Sequence, residues 1–116
     1  MAKKKQQKQT ARKPKFEIEY ADEVFEHLEA IESKYYRTIE EAIFEQLSYT
    51  PVAETRNRKL LDQPAPFEAT WEIRFGIQNE FRAFYEVDET EKIVYVLAIG
   101  IKDGNRLIVG GQEYET

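Results

Sequence analysis

The sequence has 116 residues and a mass of 13.7 kDa, which is enough for one domain and leaves no room for a second hydrophobic core. The absence of cysteine excludes disulfides, zinc–thiolate sites and cysteine nucleophiles, and a single histidine excludes a histidine-rich metal site, so we expect no metal and no cofactor. The net charge of −5 is unevenly divided, because residues 1–15 carry seven basic side chains and no acidic one. Residues 16–116 are left with 10 basic and 22 acidic side chains, a formal charge of −12.

The basic segment at the start of the chain has too few apolar residues to bury, so residues 1–15 are predicted to be a disordered tail and residues 16–116 a single domain. Such an arm is suited to the phosphates of RNA, DNA or the ribosome. A solubilising leader, or an arm that folds over its own acidic domain, explains the composition equally well. No apolar stretch follows the basic residues as it would in a signal peptide, and no apolar run approaches the roughly 20 residues of a membrane span. We therefore expect a cytoplasmic protein with no membrane partner.

The first predicted elements are a strand and a helical hairpin. Residues 16–20 alternate apolar and polar side chains, as a half-buried strand does. Apolar residues then recur at helical spacing from Val24 to Ile31 and again from Tyr36 to Leu47, and Pro51 ends the second helix.

The second half of the chain is predicted to form a sheet. Residues 52–70, with Pro64 and Pro66, are expected to be irregular, and three strands follow at 71–75, 81–87 and 93–101. The order strand, helix, helix, strands favours an α+β fold in which helices cover one face of a mainly antiparallel sheet of three to four strands. Because residues 93–101 are almost continuously apolar, this strand is predicted to be central and covered on both faces.

The hairpin of residues 71–87 has a register that can be worked out from its alternation. Opposite residues of an antiparallel pair lie on the same face, so the apolar sets stay together only if Phe75 faces Phe81 and Trp71 faces Tyr85. The same register places Arg74 opposite Arg82 on the other face. Two guanidinium groups there are suited to binding phosphate. Alternatively, the nearby acids Glu72, Glu80 and Glu86 simply neutralise them.

Further basic side chains fall in two places. One group lies in the predicted loop after the second helix and consists of Arg56, Arg58 and Lys59. The other, Lys102 and Arg106, follows the predicted central strand.

Several of these segments together resemble the RelE/ParE superfamily of bacterial type II toxin–antitoxin toxins. The resemblance covers residues 16–109 and is carried by the second helix, by residues 56–60 (RNRKL) and 71–76 (WEIRFG), and above all by residues 81–88 (FRAFYEVD) and 96–100 (VLAIG). It implies a small toxin held inactive by a cognate antitoxin. RelE-like members cleave mRNA in the ribosomal A site, whereas ParE-like members poison DNA gyrase.

The resemblance also implies roles for particular residues. Carried over from the family, Arg58, Lys59, Arg74 and Arg82 would hold the mRNA backbone and stabilise the charged transition state. With the other nearby basic residues added, we expect Arg74, Arg82 and Lys102 to be catalytic in a ribosome-dependent endoribonuclease, and Arg56, Arg58, Lys59 and Arg106 to bind RNA. The partners would then be the antitoxin, the ribosome and mRNA. Ile101-Lys102 stands where many members have His-Arg, and Tyr114 lies several residues beyond the position of the family's C-terminal tyrosine. A gyrase inhibitor, or a non-toxic relative that acts only as a binding module, is therefore the alternative.

Overall fold

The computed structural model describes residues 14–114, so most of the predicted tail lies outside the described residues. Two helices and seven strands follow one another along this part of the chain. Their bounds are β1 (Glu17–Tyr20), α1 (Glu23–Glu29), α2 (Tyr36–Leu47), β2 (Arg58–Leu60), β3 (Trp71–Phe75), β4 (Phe81–Asp88), β5 (Ile93–Asp103), β6 (Arg106–Val109) and β7 (Gln112–Tyr114). Neither helix has the length and apolar composition of a membrane span.

The helical hairpin forms as predicted, because each helix has one apolar stripe to bury. Ile39, Ile43 and Leu47 recur every four residues along α2 and are all buried. Val24 is the buried residue of the shorter α1, whose first turn carries two glutamates that complement the helix dipole. Both helices lie on the same face of the sheet, where their apolar side chains join one core with those of β3, β4 and β5.

The sheet has more strands than the three to four predicted. Its order is β2-β3-β4-β5-β6-β7, all antiparallel, and β1 pairs in parallel with β5. The additional strands β2, β6 and β7 have only three or four residues each, and such short runs beside turns have no periodicity to reveal them. The α+β class with helices on one face and a mainly antiparallel sheet is confirmed.

The β3–β4 hairpin has the predicted register. The paired residues include Trp71–Tyr85, Ile73–Ala83, Arg74–Arg82 and Phe75–Phe81. The predicted central position of the strand at 93–101 is also confirmed, since β5 pairs with β4 along one edge and with β1 and β6 along the other. The face of the sheet opposite the helices carries a second apolar cluster, of which Phe84, Ala98 and Leu107 are buried members. We call this the second face.

His27 closes a gap in the hydrogen bonding of β5. On the edge of β5 that they share, β1 pairs with residues 93–96 and β6 with residues 101–103, so neither strand pairs with residues 97–100 between them. The N–H of Ile99 lies in this gap and donates to Nδ1 of His27, at 3.3 Å. A histidine that accepts through Nδ1 must be neutral and carry its proton on Nε2. His27 is therefore a half-buried structural residue.

This contact makes stability depend on pH. Burial is the main cause that lowers the pKa of His27 below its ordinary value, and Glu23 and Glu26 oppose this effect. A lowered pKa means that the unfolded chain binds the proton more tightly, so the contribution is complete above the unfolded pKa of about 6.5 and is lost as the pH falls through the folded pKa. The variant His27→Gln keeps an acceptor that does not titrate. We expect urea unfolding of this variant to depend less on pH between about 5 and 7 than that of the parent. Identical pH dependence in both proteins would contradict this role.

Candidate functional site

Arg74 and Arg82 lie side by side on the second face of the sheet. They are directly opposed in the β3–β4 register, and their neighbours Ile73 and Ala83 point into the helix-side core. Because side chains alternate along a strand, both arginines must project on the side away from the helices. Like charges directly opposite each other destabilise a sheet, so this pair indicates either a local counter-charge or an anionic ligand.

The guanidinium of Arg82 is held firmly by its surroundings. Arg82 is buried, and its Nη1 donates to the carbonyl oxygens of Asn79 and Phe81, the latter at 3.3 Å. Its Nε lies 3.5 Å from Oε2 of Glu72. Burial lowers the pKa of Arg82, the Glu72 carboxylate opposes that shift, and the neighbouring Arg74 adds to it. The result is a fixed positive charge with little freedom to move.

Arg74 is the more accessible member of the pair. Its side chain is half-buried, and Nη2 donates to the carbonyl oxygen of Arg56 at 3.2 Å. Its backbone N–H also donates to the carbonyl oxygen of Asn57 at 2.8 Å. These contacts tie Arg74 to the turn before β2 and bring the exposed side chain of Arg56 to the same end of the sheet.

Glu72 partly neutralises this cationic surface. The register places Lys59 of β2 opposite Glu72, and Nζ of Lys59 lies 3.7 Å from Oε1 of the carboxylate. Glu72 therefore lies between Lys59 and Arg82 and pairs with both. Of the three acids considered from the sequence, Glu72 makes an ion pair with an arginine of the pair. Glu80 instead has a buried carboxylate oxygen with no hydrogen-bond partner in the part of the chain described.

Lys102 brings a third strand into the site. Arg82 pairs with Gly100 of β5, and the side chain of Lys102, two residues further along β5, lies on the same face. The backbone N–H of Lys102 donates to the carbonyl oxygen of Glu80 at 2.7 Å. The absence of a side chain at Gly100 allows β6 to pack closely against β5, because a Cβ atom there would lie 2.7 Å from the carbonyl oxygen of Ile108. Arg74, Arg82 and Lys102 thus project from three adjacent strands, and with Lys59 they form what we call the cationic face.

Arg58 does not join the cationic face. It alternates with Lys59 along β2, so it points into the helix side, where it is 5% exposed. Its Nη2 donates to the carbonyl oxygen of Gln46 at 2.5 Å, and its Nη1 donates to those of Thr50 and Ala53, the latter at 3.1 Å. This guanidinium holds the chain segment after α2 in place and presents no surface for RNA.

Arg106 also lies elsewhere. Leu107 of β6 pairs with Lys102 on the second face, so the alternating Arg106 projects on the other side. It forms ion pairs with Asp103, at 3.0 Å, and with Glu113, at 3.5 Å. Arg106 is therefore separated from the cationic face by the sheet itself.

His27 and Tyr114 both lie against Phe67. The ring centroid of Phe67 is 5.0 Å from that of Tyr114 and 6.2 Å from that of His27. Phe67 has a positive φ of 60°, and its ring packs on the second apolar cluster. The contacts of Phe67 with His27 and Tyr114 could not be predicted from the sequence. They depend on a positive φ at Phe67, which a bulky residue rarely adopts.

Comparison with known proteins places this geometry in context. A model of the family described as ParE toxin of type II toxin-antitoxin system, parDE, matches residues 18–105. The fold is similar to that in the toxin-antitoxin complex RelBE2 from Mycobacterium tuberculosis, with a TM-score of 0.61 and 19% identity, covering 76% of this chain and 92% of that one. It is also similar to that in the archaeal RelE-RelB complex from Pyrococcus horikoshii OT3, with a TM-score of 0.58 and 18% identity, covering 78% of this chain and 98% of that one. A search of curated proteins found no significant match.

Proposed function

This chain belongs to the ParE toxin family of type II toxin–antitoxin systems, and from that premise we propose that it is a toxin that inhibits translation by cleaving mRNA on the ribosome. The observation that carries the proposal is the cationic face. Arg74, Arg82 and Lys102 project from adjacent strands of an otherwise acidic domain, and clustered guanidinium and ammonium groups are suited to the phosphates of RNA.

The chemistry proposed is transfer within the RNA backbone. The ribose 2′-hydroxyl loses its proton to water and attacks the adjacent phosphorus, and the bond from phosphorus to the 5′ oxygen of the next nucleotide breaks. The products are a 2′,3′-cyclic phosphate and a 5′-hydroxyl end that takes up a proton. Negative charge builds up on the phosphate oxygens in the transition state, where positive groups already fixed in place lower the barrier most.

The three cations would divide this work according to their exposure. Arg74 and Lys102 are half-buried and would contact the phosphate oxygens directly. Arg82, held by two carbonyl oxygens and Glu72, would supply a fixed charge between them. Lys59 and the exposed Arg56 would bind the flanking backbone. Arg58 and Arg106 have no part in this proposal, because their guanidinium groups are engaged elsewhere.

A second candidate is inhibition of DNA gyrase by binding alone. Two observations favour it. The matching family is named for ParE, and His27 and Tyr114 contact Phe67 rather than the arginine pair. A toxin that binds its target without hydrolysis needs no group for proton transfer.

We also propose a cognate antitoxin as a partner and the cytoplasm as the place of action. The similar solved structures are toxin–antitoxin complexes, which supports such a partner for this chain. Ribosomes and gyrase, the two candidate targets, are both cytoplasmic in bacteria.

Induction of the chain alone, from a tightly repressed promoter, tests these proposals. We expect growth arrest together with new 5′ ends inside translated codons. Arrest with intact mRNA and a DNA-damage response would support gyrase as the target instead. Normal growth while folded protein accumulates would contradict both candidates and identify a non-toxic relative.

A further inference from the structure

A groove with aromatic walls runs between the start of β1 and α2, on the helix side of the sheet and away from the cationic face. Its volume is about 590 Å³, and its lining includes Phe16, Ile18, Tyr20 and Phe44. Phe44 of α2 is 51% exposed, although Ile43 and Leu47 of the same helix are fully buried. This wall of the groove has no apolar side chain over it in the part of the chain that the structure describes.

Two lysine side chains of the domain lie over aromatic rings of this groove. Nζ of Lys15 lies 4.9 Å from the ring centroid of Phe44, and Nζ of Lys92 lies 5.2 Å from that of Phe16. Both distances are within the range of cation–π attraction, and a lysine stem covers apolar surface while its ammonium group remains in water. The groove therefore has the chemistry of a surface that binds lysine.

The α2 rim of the groove adds negative charge. Glu40, Glu41 and Glu45 are all exposed, and together with Phe44 they line a second depression of about 540 Å³ that adjoins the groove. None of the three carboxylates forms an ion pair with any residue between 14 and 114. This rim thus offers three free carboxylates beside an exposed aromatic ring.

We propose that the lysine-rich segment of residues 1–13 binds in this groove, across Phe44 and the acidic rim of α2. The segment has six basic side chains and no acidic one, whereas the residues described carry a large excess of acid. It is joined to the groove through Pro14 and Lys15, and Lys15 already lies on Phe44. The occupant is therefore complementary in charge and covalently attached at the site.

The attachment compensates for the weakness of each contact. An exposed lysine–glutamate pair is weak by itself, but a short tether gives an effective concentration on the order of millimolar. Reach is not limiting, because 13 extended residues span up to roughly 43 Å whereas the stretch of α2 from Glu40 to Glu45 is about 7.5 Å long. Binding of this kind is screened by salt. While the segment is bound, its charges are not available to nucleic acid.

Zero-length carbodiimide cross-linking of the full chain, followed by peptide mapping, tests the proposal. It joins an amine to a carboxylate only when the two are in contact. We expect intramolecular links from Lys3, Lys4, Lys5, Lys8 and Lys13 to concentrate on the three α2 glutamates, severalfold above the exposed acids Glu54, Glu89 and Glu91. Raising the salt concentration from 0.05 M to about 0.5 M should reduce these links.

Two matched variants complete the test. The triple variant Glu40→Gln, Glu41→Gln and Glu45→Gln should abolish the preferred links. The triple variant Glu54→Gln, Glu89→Gln and Glu91→Gln makes the same change in charge elsewhere and should leave them intact. All six side chains are exposed, so neither variant should unfold. Links spread evenly over all exposed acids, or found only between two copies of the chain, would overturn the proposal.

Discussion

Replacing Arg74 by alanine is expected to abolish growth arrest while leaving the fold intact. The side chain is half-buried and its guanidinium donates to the Arg56 carbonyl at 3.2 Å, so its loss should cost no more than about 1 kcal/mol of stability. Removing one donor that stabilises developing negative charge typically lowers kcat by about 10² to 10³. Growth curves after induction, together with the amount of soluble protein, measure the two effects separately.

Arg106→Ala is the matched control for this prediction. It removes another arginine of the same sheet, but one that faces away from the site and pairs with Asp103 and Glu113. Its arrest should equal that of the parent. Full toxicity of the Arg74 variant, or equal loss in both variants, would contradict the assignment of the cationic face.

Replacing Arg58 by methionine is expected to lower the free energy of unfolding by about 3 kcal/mol or more. The guanidinium is buried and donates to the carbonyl oxygens of Gln46, Thr50 and Ala53. Methionine has a similar length but no donor, so these acceptors would lose their partner, and the segment after α2 would lose its anchor. The buried hydroxyl of Tyr85 would still donate to the Pro51 carbonyl at 2.6 Å, and the N–H of Phe16 to the Ser48 carbonyl at 2.7 Å, so the segment would keep these two contacts.

Urea unfolding followed by the fluorescence of the buried Trp71 measures this loss. Arg56→Ala is the control, since that side chain is exposed and only its backbone carbonyl accepts from Arg74. It should change stability by no more than about 0.5 kcal/mol. If the Arg58 and Arg56 variants unfold at the same urea concentration, the buried guanidinium is not the anchor that its geometry indicates.

The cationic pair could be located from the sequence because a hairpin with strict alternation has one register that keeps its apolar residues together. Trp71, Ile73 and Phe75 require Tyr85, Ala83 and Phe81 as partners, and the opposition of Arg74 and Arg82 follows from that requirement. The buried face of α2 could also be predicted, since its apolar residues recur at helical spacing.

Other features depend on contacts that no local pattern records. Because residues 52–70 were predicted to be irregular, Arg58 and Lys59 were expected to have the same role. In the short strand β2 their side chains point to opposite faces, so Arg58 is buried and Lys59 is exposed. His27 bonds to Ile99, a residue 72 positions away, and nothing near either residue signals the contact. The conformation of Phe67, with its positive φ, is likewise stabilised by a cluster drawn from distant strands.

The proposed cleavage of mRNA by the cationic face can be measured on the ribosome itself. The most direct measurement uses purified full-length chain and ribosomes paused on a defined mRNA with an empty A site, with Arg74→Ala and Arg106→Ala measured in parallel. We expect the parent and the Arg106 variant to cut the A-site codon and leave a 5′-hydroxyl end, and the Arg74 variant to leave the mRNA intact. Intact mRNA with all three proteins, while the parent inhibits DNA supercoiling by purified gyrase, would contradict this proposal.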